Sequence, residues 1–188
     1  MGLSDTQIME AIRDGEIDAI EELVCRYQDE LVGYFYHHCW DQNTAEDLAS
    51  TVFIKIFKAR ERYQATAKVR TYLYRIAHNA WVDHLRRKKN HLSLEAEMGS
   101  GGLRLVDTMS EDLDPEREER QDMIRQRVQD AVEQLPDGQR EVFVLANHQG
   151  MKYQEIGEVL DIPEGTVKSR MHAAMRNLRK LLADLVDL

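Results

Sequence analysis

Residues 150–179 read GMKYQEIGEVLDIPEGTVKSRMHAAMRNLR, and this stretch predicts the fold at its end of the chain. A short helical pattern ends at the break Asp161-Ile162-Pro163, and a longer helical pattern follows it. Apolar residues recur at steps of three and four in the longer pattern, so one face of this helix must pack against other helices. These apolar positions are Val167, Met171, Ala174, Leu178, Leu181 and Leu185.

The opposite face of this second helix offers hydrogen-bond donors and positive charge. Between positions 165 and 180 there are five Lys or Arg residues and no carboxylate. A short helix, a tight turn and a second, basic helix are typical of a helix-turn-helix, whose second helix fits the DNA major groove. The alternative is a surface helix with a solvated basic face, but the glycine, the proline turn and the missing acids favour DNA binding. The residues on this face are Gly165, Lys168, Ser169, His172 and Arg176.

The distribution of charge along the 188 residues matters more than the formal net charge of −9. Residues 107–122 hold eight acids and two bases, and this segment therefore contributes −6 of the total. The rest of the chain is near neutral, with one basic island at residues 86–89 and another in the helix-turn-helix. Because local charge selects local partners, the negative total does not exclude nucleic-acid binding.

Several classes of protein are excluded by what the sequence lacks. No segment is apolar over the length of a bilayer, and the polar start MGLSDTQIMEAIRDGE does not resemble a signal peptide. Cys25 and Cys39 lie in helical patterns, so we expect reduced thiols in the cytoplasm. The run His37-His38-Cys39 suggests metal ligands, but neighbouring helical residues point about 100° apart. We therefore expect no metal there. The sequence has no phosphate-binding glycine loop, no HExxH motif and no credible nucleophile-base pair, so we also expect no cofactor and no catalytic residue.

Helical periodicity dominates the chain, which predicts an all-α fold of two helical domains joined by a flexible acidic linker. Periodicity fails between about 92 and 114, and the Gly-Ser-Gly-Gly run at 99–102 marks a joint. Asp114-Pro115 reads as a cap followed by proline at the first helical position. Helices are expected at about 5–13, 17–38, 44–60, 69–89, 115–135 and 137–148, followed by the helix-turn-helix.

The helix at 69–89 carries a second informative pattern. Tyr72, Arg75, Asn79 and Arg86 stand at offsets of 3, 7 and 14 and therefore share one stripe. An aromatic ring, a guanidinium and an amide suit single-stranded nucleic acid, because bases stack on the ring and the amide reads a base edge. The basic island at 86–89 would hold phosphates. Composition alone slightly favours another interpretation, in which Tyr72 and Trp81 are core aromatics and Asn79 is merely solvated.

Two motifs and the acidic segment between them resemble one known family. VRTYLYRIAHNAWVDHLRR at 69–87 and GMKYQEIGEVLDIPEGTVKSR at 150–170 are similar to a bacterial RNA polymerase sigma factor of the small extracytoplasmic-function (ECF, group IV) class. The resemblance covers about residues 5–183, with both motifs in the expected order. It implies a region 2-like domain at 1–91, a linker at 92–121 and a region 4-like helix-turn-helix domain at 122–188.

The resemblance also implies roles for individual residues. In this class the first domain recognises the −10 promoter element and aids strand opening. The position of Asn79 faces a pocket for a flipped-out base, and the loop from Tyr63 to Lys68 forms the wall of that pocket. The implied −10 and strand-opening set is Tyr63, Lys68, Tyr72, Arg75, Asn79, Arg86, Arg87 and Lys88. The implied −35 set is Gly165, Thr166, Lys168, Ser169, Arg170, His172 and Arg176.

The resemblance implies protein partners as well. The helix at 44–60 would dock on the clamp helices of core RNA polymerase, and the second domain would hold the flap. The implied contacts of the first helix are Asp47, Ser50, Thr51, Ile54 and Lys55. The acidic linker would run through the RNA exit path, and an anti-sigma factor is a further expected partner. No membrane insertion is expected.

The chain departs from the family pattern at several of these positions. Ser50-Thr51 replace a common Gln-Glu pair, and Tyr72 replaces the usual Trp. Ala173 and Met175 stand where many members carry Arg, so the −35 sequence that is read is expected to be atypical. The competing functional hypothesis is a stand-alone helix-turn-helix regulator of duplex DNA. It leaves the aromatic and amide strip of the first domain without a purpose.

Overall fold

The computed structural model describes residues 2–95 and 115–183, and for 90–95 and 115–119 it describes the backbone only. Within these ranges the regular structure is helical and no strand occurs, which confirms the all-α prediction. A 3₁₀ turn covers Arg60–Arg62, and one π-helical turn covers Val144–His148. The α-helices are α1 Asp5–Asp14, α2 Asp18–Cys39, α3 Gln42–Ala59, α4 Val69–Glu95, α5 Pro115–Glu133, α6 Asp137–Phe143, α7 Tyr153–Leu160 and α8 Glu164–Leu181.

Local capping chemistry sets several helix ends where the sequence predicts them. The Ser4 hydroxyl accepts a hydrogen bond from the Gln7 backbone N–H at 3.3 Å and begins α1. Gly15 ends α1 in the left-handed conformation, with φ 98°. The Asp41 carboxylate accepts a hydrogen bond from the Thr44 N–H at 2.7 Å and begins α3. Pro115 is the first residue of α5, as its missing N–H favours.

The first three long helices, α2, α3 and α4, enclose the core of the N-terminal domain, with α1 packed across α2. Apolar residues at helical steps of three and four form most of this core, whereas Ile20, Val24, Phe57, Ile76 and Leu85 are only partly buried. Trp81 is also buried, as the core interpretation of this residue requires. The buried positions of this pattern are Leu23, Tyr27, Leu31, Phe35, Leu48, Val52, Phe53, Ile56, Leu73, Ala77 and Ala80.

The C-terminal domain consists of α5, α6, the π turn, α7 and α8. The apolar stripe of α8 is buried at Val167, Met171, Ala174 and Leu178, as predicted. Leu181 is only partly buried, and Leu185 lies outside the described residues. The Arg140 guanidinium of α6 donates to the carbonyl oxygens at the end of α5, including that of Leu135 at 2.9 Å. The carbonyl groups of Val132 and Glu133 also accept hydrogen bonds from Arg140, and the Val132 carbonyl accepts the Leu135 N–H at 3.1 Å as well.

The two domains pack against each other, which the sequence does not predict. The α7 helix lies against α4, and the π turn lies against α2. A single cluster of buried apolar residues continues from the N-terminal core into α6, α7 and α8. The helices also extend into both ends of the predicted linker at 92–121, since α4 reaches Glu95 and α5 begins at Pro115. The predicted joint at 99–102 and the acids at 107–114 lie outside the described residues.

Candidate nucleic-acid interface

The predicted stripe on α4 exists as an outward-facing surface. Arg75, Asn79 and Arg86 are exposed, and Tyr72 is half-buried beside them. Because an α-helix turns about 100° per residue, these four side chains lie within a narrow sector. The core side chains Leu73 and Ala80 lie on another side of the helix. The interpretation of Asn79 as a polar group at the surface therefore holds, and the Tyr72 side chain is partly accessible beside it.

Tyr63, which the resemblance placed in the wall of the base pocket, is buried rather than exposed. Only 5% of its surface is accessible, and its ring packs edge-on against Tyr72 with centroids 5.4 Å apart. Burial raises the pKa of both phenols. The Tyr63 side chain therefore packs against the ring of Tyr72 from the interior of the domain, and it does not itself face an incoming base. Burial also leaves the Tyr63 hydroxyl without a protein partner among the described residues.

Lys68, the other end of that loop, is engaged with the second domain. Its ammonium group donates to the Glu155 carboxylate of α7 at 2.7 Å. The same carboxylate accepts a hydrogen bond from the Lys152 backbone N–H at 3.0 Å, where α7 begins. The Lys68 ammonium, followed by the Lys152 N–H, lowers the pKa of Glu155. Glu155 thus caps α7 and binds the first domain at the same time.

The basic island follows the α4 stripe towards the end of the helix. Arg86, Arg87 and Lys88 are exposed, so their charges face solvent. With His84, the last two line a groove of about 440 Å³ whose other wall is α3. Arg86 comes within 3.8 Å of Asp83, an exposed pair that contributes little and leaves the guanidinium available. The arrangement extends the positive surface of α4 by more than one helical turn beyond Asn79.

The turn between α7 and α8 depends on one glycine. A Cβ built on Gly157 would lie 2.9 Å from the Ile162 carbonyl oxygen, a distance that real Cβ atoms do not tolerate. Asp161 adopts the left-handed conformation with φ 53°, and the Ile162 N–H donates to the Gly157 carbonyl at 3.0 Å. The chain therefore reverses within three residues, and α8 starts against the end of α7.

The outward face of α8 carries most of the predicted −35 residues. Gly165, Lys168, Ser169, His172 and Arg176 are exposed. Lys168 is paired with Glu164 one turn earlier at 2.6 Å. These five residues cover the side of α8 opposite its buried stripe, as the spacing predicts.

Two predicted −35 residues lie elsewhere on α8. Thr166 is half-buried, and its backbone N–H donates to the Pro163 carbonyl at 2.8 Å. The guanidinium of Arg170 packs over Gly138 of α6, where an added Cβ would come within 3.2 Å of it. Position 170 follows 167 by three residues and shares the flank of the buried stripe. The side chain of Arg170 therefore joins α8 to α6 instead of projecting from the outer face.

A groove on the other flank of α8 contains residues that the sequence does not place in the −35 set. It has a volume of about 850 Å³, and Tyr153 of α7 forms one side of it. Met175, Arg179 and Lys180 line it together with Lys168 and His172. The sequence pattern already indicates this longer surface, because one helical stripe continues at steps of three and four through positions 168, 172, 175 and 179. The positive face of α8 is thus longer than the predicted set.

The predicted polymerase contacts lie along the outer face of α3. Asp47, Ser50 and Ile54 are exposed, Thr51 is half-buried, and Lys55 donates to Asp83 of α4 at 3.1 Å. Ile54 is a large apolar side chain with 53% of its surface accessible. Beside it, α2 and α3 enclose a shallow groove of about 320 Å³. Ile54 adds exposed apolar surface to the rim of this groove.

His37 and His38 of α2 pack against other aromatic rings. In the described part of the chain, no three His, Cys, Asp or Glu side chains are grouped as ligands. His37 stacks on His148 of the π turn, with ring centroids 3.7 Å apart, and burial lowers the pKa of His37 to about 4. His38 is packed near Trp81 in the core, and burial lowers its pKa to about 3. Neither of the two segments that the structure covers contains a helix apolar and long enough to cross a bilayer.

Comparison with known proteins matches both domains. Residues 23–91 match sigma-70 region 2, and residues 125–178 match sigma-70 region 4. The ECF RNA polymerase sigma factor SigW of Bacillus subtilis is 35% identical over 93% of this chain and 94% of its own length. The RNA polymerase sigma-H factor of Pseudomonas aeruginosa is 32% identical over 97% of this chain and 95% of its own length.

Solved structures share the fold at lower sequence identity. CnrH, solved in complex with the cytosolic domain of CnrY, superposes with a TM-score of 0.71 at 22% identity, over 96% of this chain and 97% of CnrH. The sigma factor RpoE of Bartonella quintana, solved with the anti-sigma factor NepR, also gives a TM-score of 0.71, at 18% identity. The superposition covers 89% of this chain and 98% of RpoE. With two matched regions in order and relatives above 30% identity along nearly the whole length, this chain belongs to the ECF class of RNA polymerase sigma factors.

Proposed function

We propose that this chain binds core RNA polymerase and directs it to a specific set of promoters, where it reads the −10 and −35 elements and aids strand opening. Two separate surfaces support the proposal: the aromatic and amide strip on α4, and the basic recognition helix α8. Both occur on a chain that belongs to this family. A stand-alone duplex regulator would use only the second surface. Nothing in the comparisons supports that alternative.

At the −10 element, Asn79 reads an unpaired base and Tyr72 stacks on a base beside it. The exposure of Asn79 and the half-buried ring of Tyr72 support these roles. A ring held edge-on by Tyr63 loses little conformational entropy when a base stacks on it. Arg75 and the island Arg86, Arg87 and Lys88 hold the phosphates of the strand. Lys68 contributes to this surface once its ion pair with Glu155 is released.

At the −35 element, α8 enters the major groove with Lys168, Ser169, His172 and Arg176 towards the bases and phosphates. Gly165 permits close approach of the backbone, because no atom lies within 4 Å of where its Cβ would stand. Arg179 and Lys180 extend the phosphate contacts along the groove. Thr166 and Arg170 act indirectly, by fixing the start of α8 and its contact with α6.

The outer face of α3 is the proposed docking surface for the polymerase clamp helices, with Ile54 as its apolar centre and Asp47, Ser50 and Thr51 around it. Lys55 supports α3 through its hydrogen bond to Asp83.

We also propose that an anti-sigma factor controls this chain, as the partners of CnrH and RpoE in their solved complexes suggest. A polymerase subunit works where the chromosome is, so the proposed location is the cytoplasm. The chain itself is proposed to catalyse no reaction.

Transcription from purified components tests the function directly. The full chain is added to core polymerase, and start sites are mapped on genomic DNA templates. A set of start sites that depends on this chain and shares sequence elements at −10 and −35 supports the proposal. A chain that binds duplex DNA alone, with no effect on polymerase, overturns it in favour of a stand-alone regulator.

A further inference from the structure

Met175 is an exposed methionine on the helix that is proposed to enter the major groove. Its surface is 39% accessible, whereas the other large apolar side chains of α8 are buried or partly buried. Around the helix axis it lies about 40° from the buried Met171 and about 20° from the exposed Lys168. Its side chain therefore stands where the packed side of α8 meets the side that carries positive charge.

The groove of about 850 Å³ beside α8 places this methionine among polar and charged side chains. Lys168 precedes it by two helical turns, His172 precedes it by one turn, and Arg179 follows it by one turn. Tyr153 of α7 forms the facing side of the groove. A nucleic-acid backbone that is held by these cations brings the neighbouring base edges within reach of the Met175 side chain.

The packing of the C-terminal domain makes little use of Met175. The stripe of Val167, Met171, Ala174 and Leu178 already fills the contact between α8 and the other helices, and none of its members is more than 8% exposed. An apolar side chain that stays in water gains little from the hydrophobic effect. The exposed part of Met175 therefore gains free energy only when another surface covers it.

The major groove of DNA offers one apolar group to such a side chain. Every base pair presents hydrogen-bond donors or acceptors there, and thymine alone adds a C5 methyl group. A methionine has no donor, and its sulfur is only a weak acceptor. Over guanine, cytosine or adenine it would remove water from polar atoms without replacing the hydrogen bonds. Over thymine it covers a methyl group instead.

From these observations we propose that Met175 is a specificity-determining residue, which contacts a thymine methyl group in the −35 element and thereby selects thymine at one position. The inference rests on the proposed function, since it requires α8 in the major groove of promoter DNA. Lys168 and Arg179 hold the DNA, and Met175 distinguishes among the bases that these cations bring near. The flexible methionine side chain adjusts its end to the position of the methyl group.

The first test removes the methyl group from the DNA and leaves the protein intact. The full chain with core polymerase selects from promoter templates whose −35 segment is randomised, built on a promoter found by start-site mapping. The wild type is expected to enrich thymine in this segment. Replacement of one such thymine by uracil, which lacks only the C5 methyl group, is expected to weaken binding about fourfold. If no thymine is enriched, or if uracil binds as well at every enriched position, the inference is overturned.

The second test assigns the methyl contact to Met175. In Met175→Ala, thymine and uracil templates are expected to bind equally well. The matched control is Met123→Ala, which removes a 52% exposed methionine of α5 and should keep the fourfold difference. If uracil weakens binding of Met175→Ala as much as it weakens the wild type, the methyl group acts through DNA shape or through another residue, and the inference is overturned.

A further variant keeps the second test decisive if Met175→Ala loses helical circular dichroism. Met175→Gln has a side chain of similar length and helix propensity, but an amide replaces the apolar end. This variant is also expected to bind thymine and uracil templates equally well. A retained fourfold difference in Met175→Gln contradicts the apolar contact.

The same assays separate this inference from the proposed function. If the chain and polymerase select −35 sequences but do not distinguish thymine from uracil, the proposed function stands and the role of Met175 fails. If the chain gives polymerase no promoter selectivity on any template, the proposed function fails, and the inference fails with it.

Discussion

The side-chain oxygen of Gln149 accepts a hydrogen bond from the Tyr74 hydroxyl at 2.6 Å, although 75 positions separate the two residues along the chain. Tyr74 is two positions from Tyr72 and five from Asn79, on the helix whose outer strip is proposed to read melted bases. One helix therefore serves two surfaces, one for nucleic acid and one for the other domain. The division is possible because an α-helix directs residues two and five positions apart to different sides.

Asn79→Ala is expected to slow promoter opening while leaving polymerase binding unchanged. The loss of a base-edge contact corresponds to about 1–3 kcal/mol, or roughly 5- to 150-fold in the opening equilibrium. Permanganate footprinting of the melted region and a polymerase-binding assay measure the two effects. Asn43→Ala, an exposed amide on α3, is the control. An unchanged opening equilibrium for the Asn79 variant would remove this side chain from the base-reading role.

Substitutions of Lys168 and Glu164 are expected to change the affinity for duplex DNA in opposite directions. Lys168→Ala removes a cation from the groove-facing side of α8, and Glu164→Gln frees that cation from its 2.6 Å ion pair. Binding to a −35 duplex should weaken in the first variant, by up to about 1–3 kcal/mol if the ammonium reads a base. It should tighten several-fold in the second variant.

Fluorescence anisotropy at several salt concentrations distinguishes base contact from phosphate contact at Lys168. A phosphate contact lowers affinity alike on all duplex sequences and reduces the salt slope by about one. Lys58→Ala, exposed on α3, is the control. Wild-type affinity and salt slope in Lys168→Ala would place α8 differently on the DNA.

Gly157→Ala is expected to destabilise the helix-turn-helix. The new Cβ would stand 2.9 Å from the Ile162 carbonyl oxygen, so the turn must shift, at a cost of about 1–3 kcal/mol. The matched control is Gly33→Ala within α2, where no atom lies within 4 Å of the Cβ position. Helix propensity predicts that this control gains up to about 1 kcal/mol. Urea unfolding followed by circular dichroism measures both variants, and equal stability of the two would contradict the packing at Gly157.

Ile54→Ala is expected to weaken binding to core polymerase without loss of stability. The side chain is 53% exposed on α3, so its removal costs little in the folded chain, whereas an interface that buries it would lose about 1–2 kcal/mol. Leu3→Ala removes a comparably exposed apolar side chain near α1 and is the control. Competition binding to core polymerase gives the two affinities. Equal affinities would place the polymerase surface elsewhere.

Closure of the domains is expected to weaken as the pH falls. Burial lowers the pKa of His37 from 6.5 to about 4, with a further contribution from His148, and burial also lowers the pKa of His148. Separation of the domains exposes the stacked rings, so protonation favours the open state. Closure is therefore fully favoured above about pH 6.5 and is lost progressively towards pH 4. The opening equilibrium should rise by up to about tenfold per pH unit for each histidine.

Scattering profiles between pH 7.5 and 5 measure this dependence. His148→Gln should flatten it, whereas His172→Gln, an exposed histidine of α8, should leave it as in the wild type. The pKa of the neighbouring His38 is lowered by burial first, and then by Arg140, His37 and His78. A radius of gyration that stays constant between these pH values would contradict a role for the His37 and His148 stack in closure.

Helix positions and their outward residues could be predicted from the sequence, because the causes are local. The caps at Ser4 and Asp41 and the stop at Gly15 act within one turn, and helix ends fell within a few residues of expectation for most helices. The strip of Tyr72 and Asn79 followed from the helical period alone. At the far end of α4 the prediction stopped at 89, but the helix continues to Glu95.

The sequence by itself determined an all-α chain, its helix-turn-helix and an outward strip on α4, since periodicity and capping depend on near neighbours. The nucleic-acid roles of that strip and of α8 stay predictions. Only the tertiary structure decided that Tyr63 lies beneath Tyr72, that Arg170 turns towards Gly138, and that Glu141 reaches Tyr34. These contacts join positions between 9 and 107 residues apart. A polar side chain such as Glu141 has the same helical position whether it faces water or another domain, and only the packing of the two domains determines which of these it faces.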